Sequence, residues 1–169
     1  METVDELFDE AERAEDRREW DIAAALYLRC LTIDPHDPVI PFNLSHVLIK
    51  KGNWKEAGYY LNKVLKRDPS NAEAWYNLAA VAREEDDTIA AKRYLEKAIA
   101  ADPTYPDPVY NLARLEFADG DRGEASRLWT KYLELDPNSD WGRRAKHGLQ
   151  LIRMLDRNTT SPSSRASGW

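Results

Sequence analysis

A single dipeptide returns along this chain at a fixed step: Asp34-Pro35, Asp68-Pro69, Asp102-Pro103 and Asp136-Pro137 lie 34 residues apart. A period of that length marks an array of stacked supersecondary units, each too small to bury its own apolar face. The step is not confined to the dipeptide. Asn43, Asn77 and Asn111 keep it, as do Leu44, Leu78 and Leu112, the alanines Ala23, Ala57, Ala91 and Ala125, the pair Trp20 and Trp54, and Lys63, Lys97 and Lys131. Within one unit, apolar residues recur at helical spacing in two stretches, such as Trp75, Leu78, Ala79 and Ala82, then Ala91, Leu95, Ala98 and Ile99. The polar run Glu85-Asp86-Asp87 separates the two. Helical periodicity on both sides of a polar turn predicts a helical hairpin.

Proline supplies the punctuation. It turns the preceding residue away from the α region, so each Asp-Pro is expected to stop the second helix of a hairpin. Asn71, Asp37-Pro38 and Asp107-Pro108 offer an N-cap or an N1 proline for the helix that follows. Pro41 falls so early in its unit that it is expected to delay a helix start rather than kink a helix interior.

Composition agrees with a helical reading. The chain has 169 residues, 43% hydrophobic and 32% charged, with only seven glycines. That suits one helix-rich, soluble domain of ordinary size. A net charge of −6 opposes binding to nucleic acid, which needs a surplus of Lys and Arg on one face. Cys30 stands alone, so no internal disulfide can form, and a reducing, cytoplasmic setting is expected. The acidic start Met-Glu-Thr-Val-Asp-Glu lacks the basic region and apolar core of a signal peptide. No apolar run approaches the roughly 20 residues of a bilayer span, so no membrane partner is expected.

The 34-residue hairpin unit with its late proline resembles the tetratricopeptide repeat (TPR) family, which numbers the units 4–37, 38–71, 72–105 and 106–139. The third unit carries the resemblance furthest: Trp75, Leu78, Ala79, Ala91, Leu95, Ala98 and Pro103 occupy the family's signature positions. The implied fold is all-α, a right-handed α-solenoid of four helix-turn-helix units in a domain 1–155. Small residues such as Ala79 and Ala91 let paired helices approach, and Tyr27, Leu61, Leu95 and Trp129 fill the space between hairpins. The amphipathic stretch 140–155, with Trp141, Ala145, Leu149, Ile152 and Leu155 on one stripe, reads as a capping helix. The polar stretch 156–169 is expected to be a disordered tail.

In the family the first helix of each unit forms a concave wall. Its fifth and sixth unit positions give Phe8, Phe42, Tyr76 and Tyr110, then Asp9, Asn43, Asn77 and Asn111. The ninth and twelfth add Glu12, His46, Ala80 and Arg114, then Glu15, Ile49, Arg83 and Phe117. An asparagine offers a donor and an acceptor, the pair that holds a peptide backbone. At about 1 kcal/mol net per hydrogen bond, three amides fall short of the ~8 kcal/mol of a micromolar complex, so aromatic burial by Tyr76 and Tyr110 is expected to supply the rest. The candidate partner-binding set is Phe42, Asn43, His46, Tyr76, Asn77, Arg83, Tyr110, Asn111 and Arg114. The two-carboxylate clamp of chaperone-tail binders does not fit, because only its central Asn survives, at Asn43 or Asn77.

Chemistry beyond binding finds little footing. His36, His46 and His147 have no paired metal-ligand spacing, and Gly120-Asp-Arg-Gly123 lacks the ending of a phosphate-binding loop. No nucleophile stands beside an activating base. The expectation is a non-catalytic protein–protein interaction scaffold, without metal or cofactor, that receives a peptide or helix of a partner in its groove. The alternative is a self-assembling or regulatory segment of a larger protein, since the ending from Trp129 through Trp141-Gly-Arg-Arg-Ala-Lys faintly resembles TPR modules attached to bacterial helix-turn-helix transcriptional regulators. Residues 1–21 hold ten acids against three arginines, net −7, while 140–169 carry net +4. That asymmetry suits a partner oriented by charge, or head-to-tail stacking of copies into a homo-oligomer.

Overall fold

The computed structural model describes residues 2–160. Among these there are nine helices and no strand: α1 (Val4–Asp16), α2 (Trp20–Ile33), α3 (Ile40–Lys51), α4 (Trp54–Arg67), α5 (Ala72–Glu84), α6 (Thr88–Ala101), α7 (Pro106–Ala118), α8 (Arg122–Leu135) and α9 (Asp140–Thr160). The fold class is that of the all-α solenoids.

The helix ends follow from the punctuation. The helices α2, α4, α6 and α8 stop at the residue before Asp34, Asp68, Asp102 and Asp136, each of which has left helical backbone angles ahead of its proline. The starts of α1, α3, α5, α6 and α8 are held by side chains that satisfy orphan amides of the first turn, whereas α2, α4 and α7 have no side-chain cap. Thr3 and Glu6 form a reciprocal capping box on α1, and Asn71, Asp87 and Asp121 accept from Ala74, Ala90 and Glu124 at 2.8–2.9 Å. At α3 the Asp37 carboxylate accepts from the amides of Val39 and Ile40. Pro41 sits in the first turn of α3, where its missing N–H breaks nothing.

Every hairpin closes through a left-handed residue at the same repeat position. Arg18 (φ 58°), Gly52 (φ 77°), Asp86 (φ 59°) and Gly120 (φ 89°) stand between paired helices. Glycine enters that region freely, whereas arginine and aspartate do so at a steric cost.

Where one domain over 1–155 is expected, the chain groups into two compact units that divide between Pro103 and Thr104. In the first unit α1 pairs with α2, α3 with α4 and α5 with α6, and α2 packs on α3 and α4 on α5. Its core holds Leu7, Ala11, Tyr27, Leu44, Val47, Leu61 and Leu78. Alanine at 23, 57 and 91 is buried where paired helices meet, the spacing role expected of a small side chain. The Cys30 thiol is buried too, 3.7 Å from the Val4 carbonyl, and burial pushes its pKa up. In the second unit α7 pairs with α8 and α9 packs on α8, enclosing Val109, Leu112, Leu128, Trp129, Tyr132, Ala145 and Ile152.

The last helix corrects one boundary. Helix α9 continues to Thr160, so 156–160 is helical rather than the start of a disordered tail; 161–169 lies outside the described residues. The Asp156 carboxylate accepts from Arg122 Nη1 at 2.9 Å and so ties the added turn to α8. Arg157 in the final turn suits the negative end of the helix dipole.

Candidate functional site

In the first unit, α1, α3 and α5 present their outward faces around a hollow of about 490 Å³. Three expected site residues, Phe42, Asn43 and His46, line it from α3. They are joined by Glu12, Glu15 and Asp16 of α1 and by Glu73 of α5. Helical spacing explains the grouping: Phe42 and His46 are four residues apart on one face, as are Glu12 and Asp16.

A buried donor organises the floor. The ring of Tyr27 on α2 is fully buried, and its hydroxyl donates to Glu15 Oε1 at 2.6 Å. Asn43 Nδ2 reaches the same hydroxyl at 3.5 Å, and His46 Nδ1 lies 3.3 Å from the other Glu15 oxygen, Oε2. Burial, then the bond to Glu15, raise the Tyr27 pKa far above the usual phenol range. The phenol therefore stays a donor and Glu15 stays fixed. Phe8 meets the Tyr27 ring edge-on at 5.6 Å.

This raised pKa sets an alkaline limit. A phenol whose folded pKa exceeds its unfolded value of about 10 contributes stability below that pH and loses it as pH rises toward the folded value. Tyr60 and Tyr132 act in the same direction. We expect urea midpoints to fall between about pH 9 and about 11, and to fall less steeply in Tyr27→Phe. Equal slopes in the two chains would contradict the burial described for this ring.

The remaining expected residues are spread more widely. Tyr76 and Asn77 are half-buried on α5, and Arg83, near its end, is exposed with Nη2 3.3 Å from Glu84 Oε1. The second unit holds the other three. Arg114 is exposed on α7, while Asn111 donates its amide to the Asp107 carbonyl of its own helix at 2.9 Å. Tyr110 is a correction: it is 8% exposed, with Tyr132 and Trp141 edge-on at 5.2 and 5.0 Å, and does not stand open as a binding anchor. Tyr132 causes part of this, because the corresponding positions in earlier repeats carry the smaller Cys30, Val64 and Ala98. Its hydroxyl is held by Asp136 at 2.8 Å, which aims the ring at Tyr110.

Of the hollow's carboxylates, Glu12 and Glu15 stand at the ninth and twelfth unit positions, but an amide-and-ring criterion passes over them. Among the described residues no group of three or more His, Cys, Asp or Glu is arranged to hold a metal ion. No helix among them is long and apolar enough to cross a membrane.

Hairpins of this length, closed and stacked in this way, define a helical-repeat protein. The tetratricopeptide repeat family model matches residues 16–81 and 82–145, and the chain belongs to that family. Among solved structures, MamA is similar over 87% of this chain and 84% of its own, with 24% identity and a TM-score of 0.78. A tetratricopeptide repeat protein from Parabacteroides merdae matches over 92% of this chain and 62% of its own, with 18% identity and a TM-score of 0.80. YrrB, described as a TPR protein with an unusual peptide-binding site, matches over 94% and 80%, with 19% identity and a TM-score of 0.74. At these identities the likeness is one of fold. No curated protein matches the chain in sequence.

Proposed function

We propose that this chain is a non-catalytic protein-interaction scaffold that holds a peptide or helix of a partner against α1, α3 and α5 of its first unit. The observation that carries this is the hollow in which the Phe42 ring, the Asn43 amide and the His46 imidazole stand among four carboxylates. A ring buries an apolar side chain, an amide answers a peptide bond, and carboxylates take Lys or Arg through charge-assisted bonds. Glu15 is already oriented by Tyr27, so less side-chain entropy is lost when it is engaged. The description of YrrB lends support, as a TPR protein of similar fold with a peptide-binding site of its own. A reducing, cytoplasmic setting suits the unpaired and buried Cys30.

The test uses peptides selected from a displayed random library against the full chain. Reversing the charge of two exposed residues of the hollow, Glu12→Lys with Glu73→Lys, is expected to weaken the selected peptides by at least about tenfold, or about 1.4 kcal/mol. Helicity should not change, because both side chains are exposed. Peptides that bind the double variant as tightly as the parent, or a library that yields no binder, would remove the proposal.

A further inference from the structure

Helix α5 has a second outward side, turned away from the one that carries Glu73 to the hollow. Trp75, Leu78 and Ala82 stand along it at helical spacing, with Val81 beside them, and line a groove. Helix α4 and the Pro69-Ser70 turn border this groove on one side and α6 borders it on the other. It consists of two recesses of about 370 and 430 Å³. They meet at stacked rings: Tyr94 lines the first, Trp75 lines the second, and the ring centres are 5.8 Å apart. All of these residues belong to the first unit, and none of them lines the hollow on α1, α3 and α5.

The sequence of this one repeat opens the groove and arms it. Gly58, Ala82 and Ala90 line the first recess where the preceding repeat has Ala24, Leu48 and Glu56. The indole is found in this repeat alone, its counterparts being Leu7, Pro41 and Val109. Its Nε1–H donates to the Pro69 carbonyl at 2.9 Å, which fixes the ring in place. Two exposed cations of α6, one turn apart, are held over the rings. The Arg93 guanidinium lies 5.3 Å from the Tyr94 ring centre and the Lys97 ammonium 4.1 Å from that of Trp75. Among the lining residues carboxylates occur only at the α5–α6 turn, as Glu85 and Asp87, and Asp87 caps α6 by accepting from the Ala90 amide at 2.9 Å. At 1.5 Å per residue, Arg93 and Lys97 stand about 9 and about 15 Å further along α6 than Asp87.

We infer that this groove holds an extended acidic peptide of a partner, with an aromatic or aliphatic side chain on Trp75 and a carboxylate between Arg93 and Lys97. Charge complementarity selects this occupant. A carboxylate accepts charge-assisted bonds from both cations while they keep their places over the rings, and an apolar side chain next to it is buried against the indole, Ala100 and Ala101. A continuous polyanion such as RNA or an anionic lipid surface would run onto Glu85 and Asp87 at the turn, whereas a short peptide can keep its acids at the Arg93 and Lys97 end. The carboxylates of the hollow repel the same peptide, so the two sides of α5 take partner segments of opposite charge. The groove does not depend on what binds in the hollow.

The probe is a fluorescently labelled peptide of one phenylalanine flanked by glutamates, titrated with the full chain and read by anisotropy. Saturable binding is expected, weakening as salt screens the charges. Arg93→Glu with Lys97→Glu should weaken it by at least about tenfold, and so should replacing the phenylalanine of the probe by serine. Ala100→Glu repeats the test from the wall of the second recess with an independent substitution. All three side chains are exposed, so helicity by circular dichroism should not change. The Glu12→Lys, Glu73→Lys chain should bind the probe no more weakly than the parent, which separates this groove from the hollow. A probe that does not bind, that binds the α6 variants as tightly as the parent, or that binds as tightly without its phenylalanine overturns the inference. Displacement of the probe by phosphatidylserine vesicles or single-stranded RNA overturns it as well.

Discussion

Leu44→Ala is expected to lower the stability of the first unit by about 2–5 kcal/mol, toward the upper end of that range. Leu44 is fully buried on α3, a helix that packs on α2, α4 and α5. Removing its branched end takes away the transfer free energy of the lost carbons and leaves a void. Neighbours held from three directions cannot close in to fill that void, and residual cavity volume is what raises the loss at fixed chemistry. Urea unfolding followed by helical circular dichroism measures it. Leu151→Ala, exposed on α9, serves as the comparison and should stay within about 0.5 kcal/mol of the parent. A loss under about 1 kcal/mol at Leu44 would mean that α3 is not enclosed as described.

Gly148→Ala is expected to destabilise the docking of α9 by about 1–3 kcal/mol, although alanine is the better helix former by about 1 kcal/mol. A methyl group at that position would lie 2.5–2.8 Å from the six-membered ring of Trp129. Trp129 is itself buried and tilted against Phe117 at 5.5 Å, so the ring has little room to retreat. Gly142 meets a stiffer obstacle: its methyl would lie 2.7 Å from the Asp136 carbonyl oxygen and 2.9 Å from Pro137 backbone atoms. Gly142→Ala should therefore loosen the start of α9 at least as much. Hydrogen exchange resolves both, as lost protection of α9 amides with α1 to α6 unchanged. Trp141 should move with the helix, uncovering Tyr110. If Gly148→Ala stabilises the chain, propensity outweighs the steric clash and the close approach of α9 to α8 is wrong.

Much of this fold can be read from residues because the signals are local and repeated. The Asp-Pro steps at 34, 68, 102 and 136 each stop a helix, whereas Asp107-Pro108 lies in the first turn of α7, and Asn71 caps α5 through its own side chain. The hollow was partly legible for the same reason, since Phe42, Asn43 and His46 share a helix face set by spacing alone. Tyr110 shows where this stops. It occupies the repeat position of Phe42 and Tyr76, yet its surroundings depend on Tyr132 and on Trp141 of a helix outside the four repeats. No periodic rule carries that information. Glu15 was missed as an organising group for a related reason: its fixed position comes from Tyr27, twelve residues away on the partner helix. The end of α9 depends likewise on a distant pair, Arg122 with Asp156.

The four left-handed turns carry a consequence for how such a chain can diversify. Arginine, glycine, aspartate and glycine fill one geometric role at Arg18, Gly52, Asp86 and Gly120. The bend is imposed by the helices it joins and does not require the residue best suited to it. A repeat can thus alter charge and bulk at its tightest corner while its length and pitch persist, leaving corner chemistry free to drift or to be selected independently of the architecture.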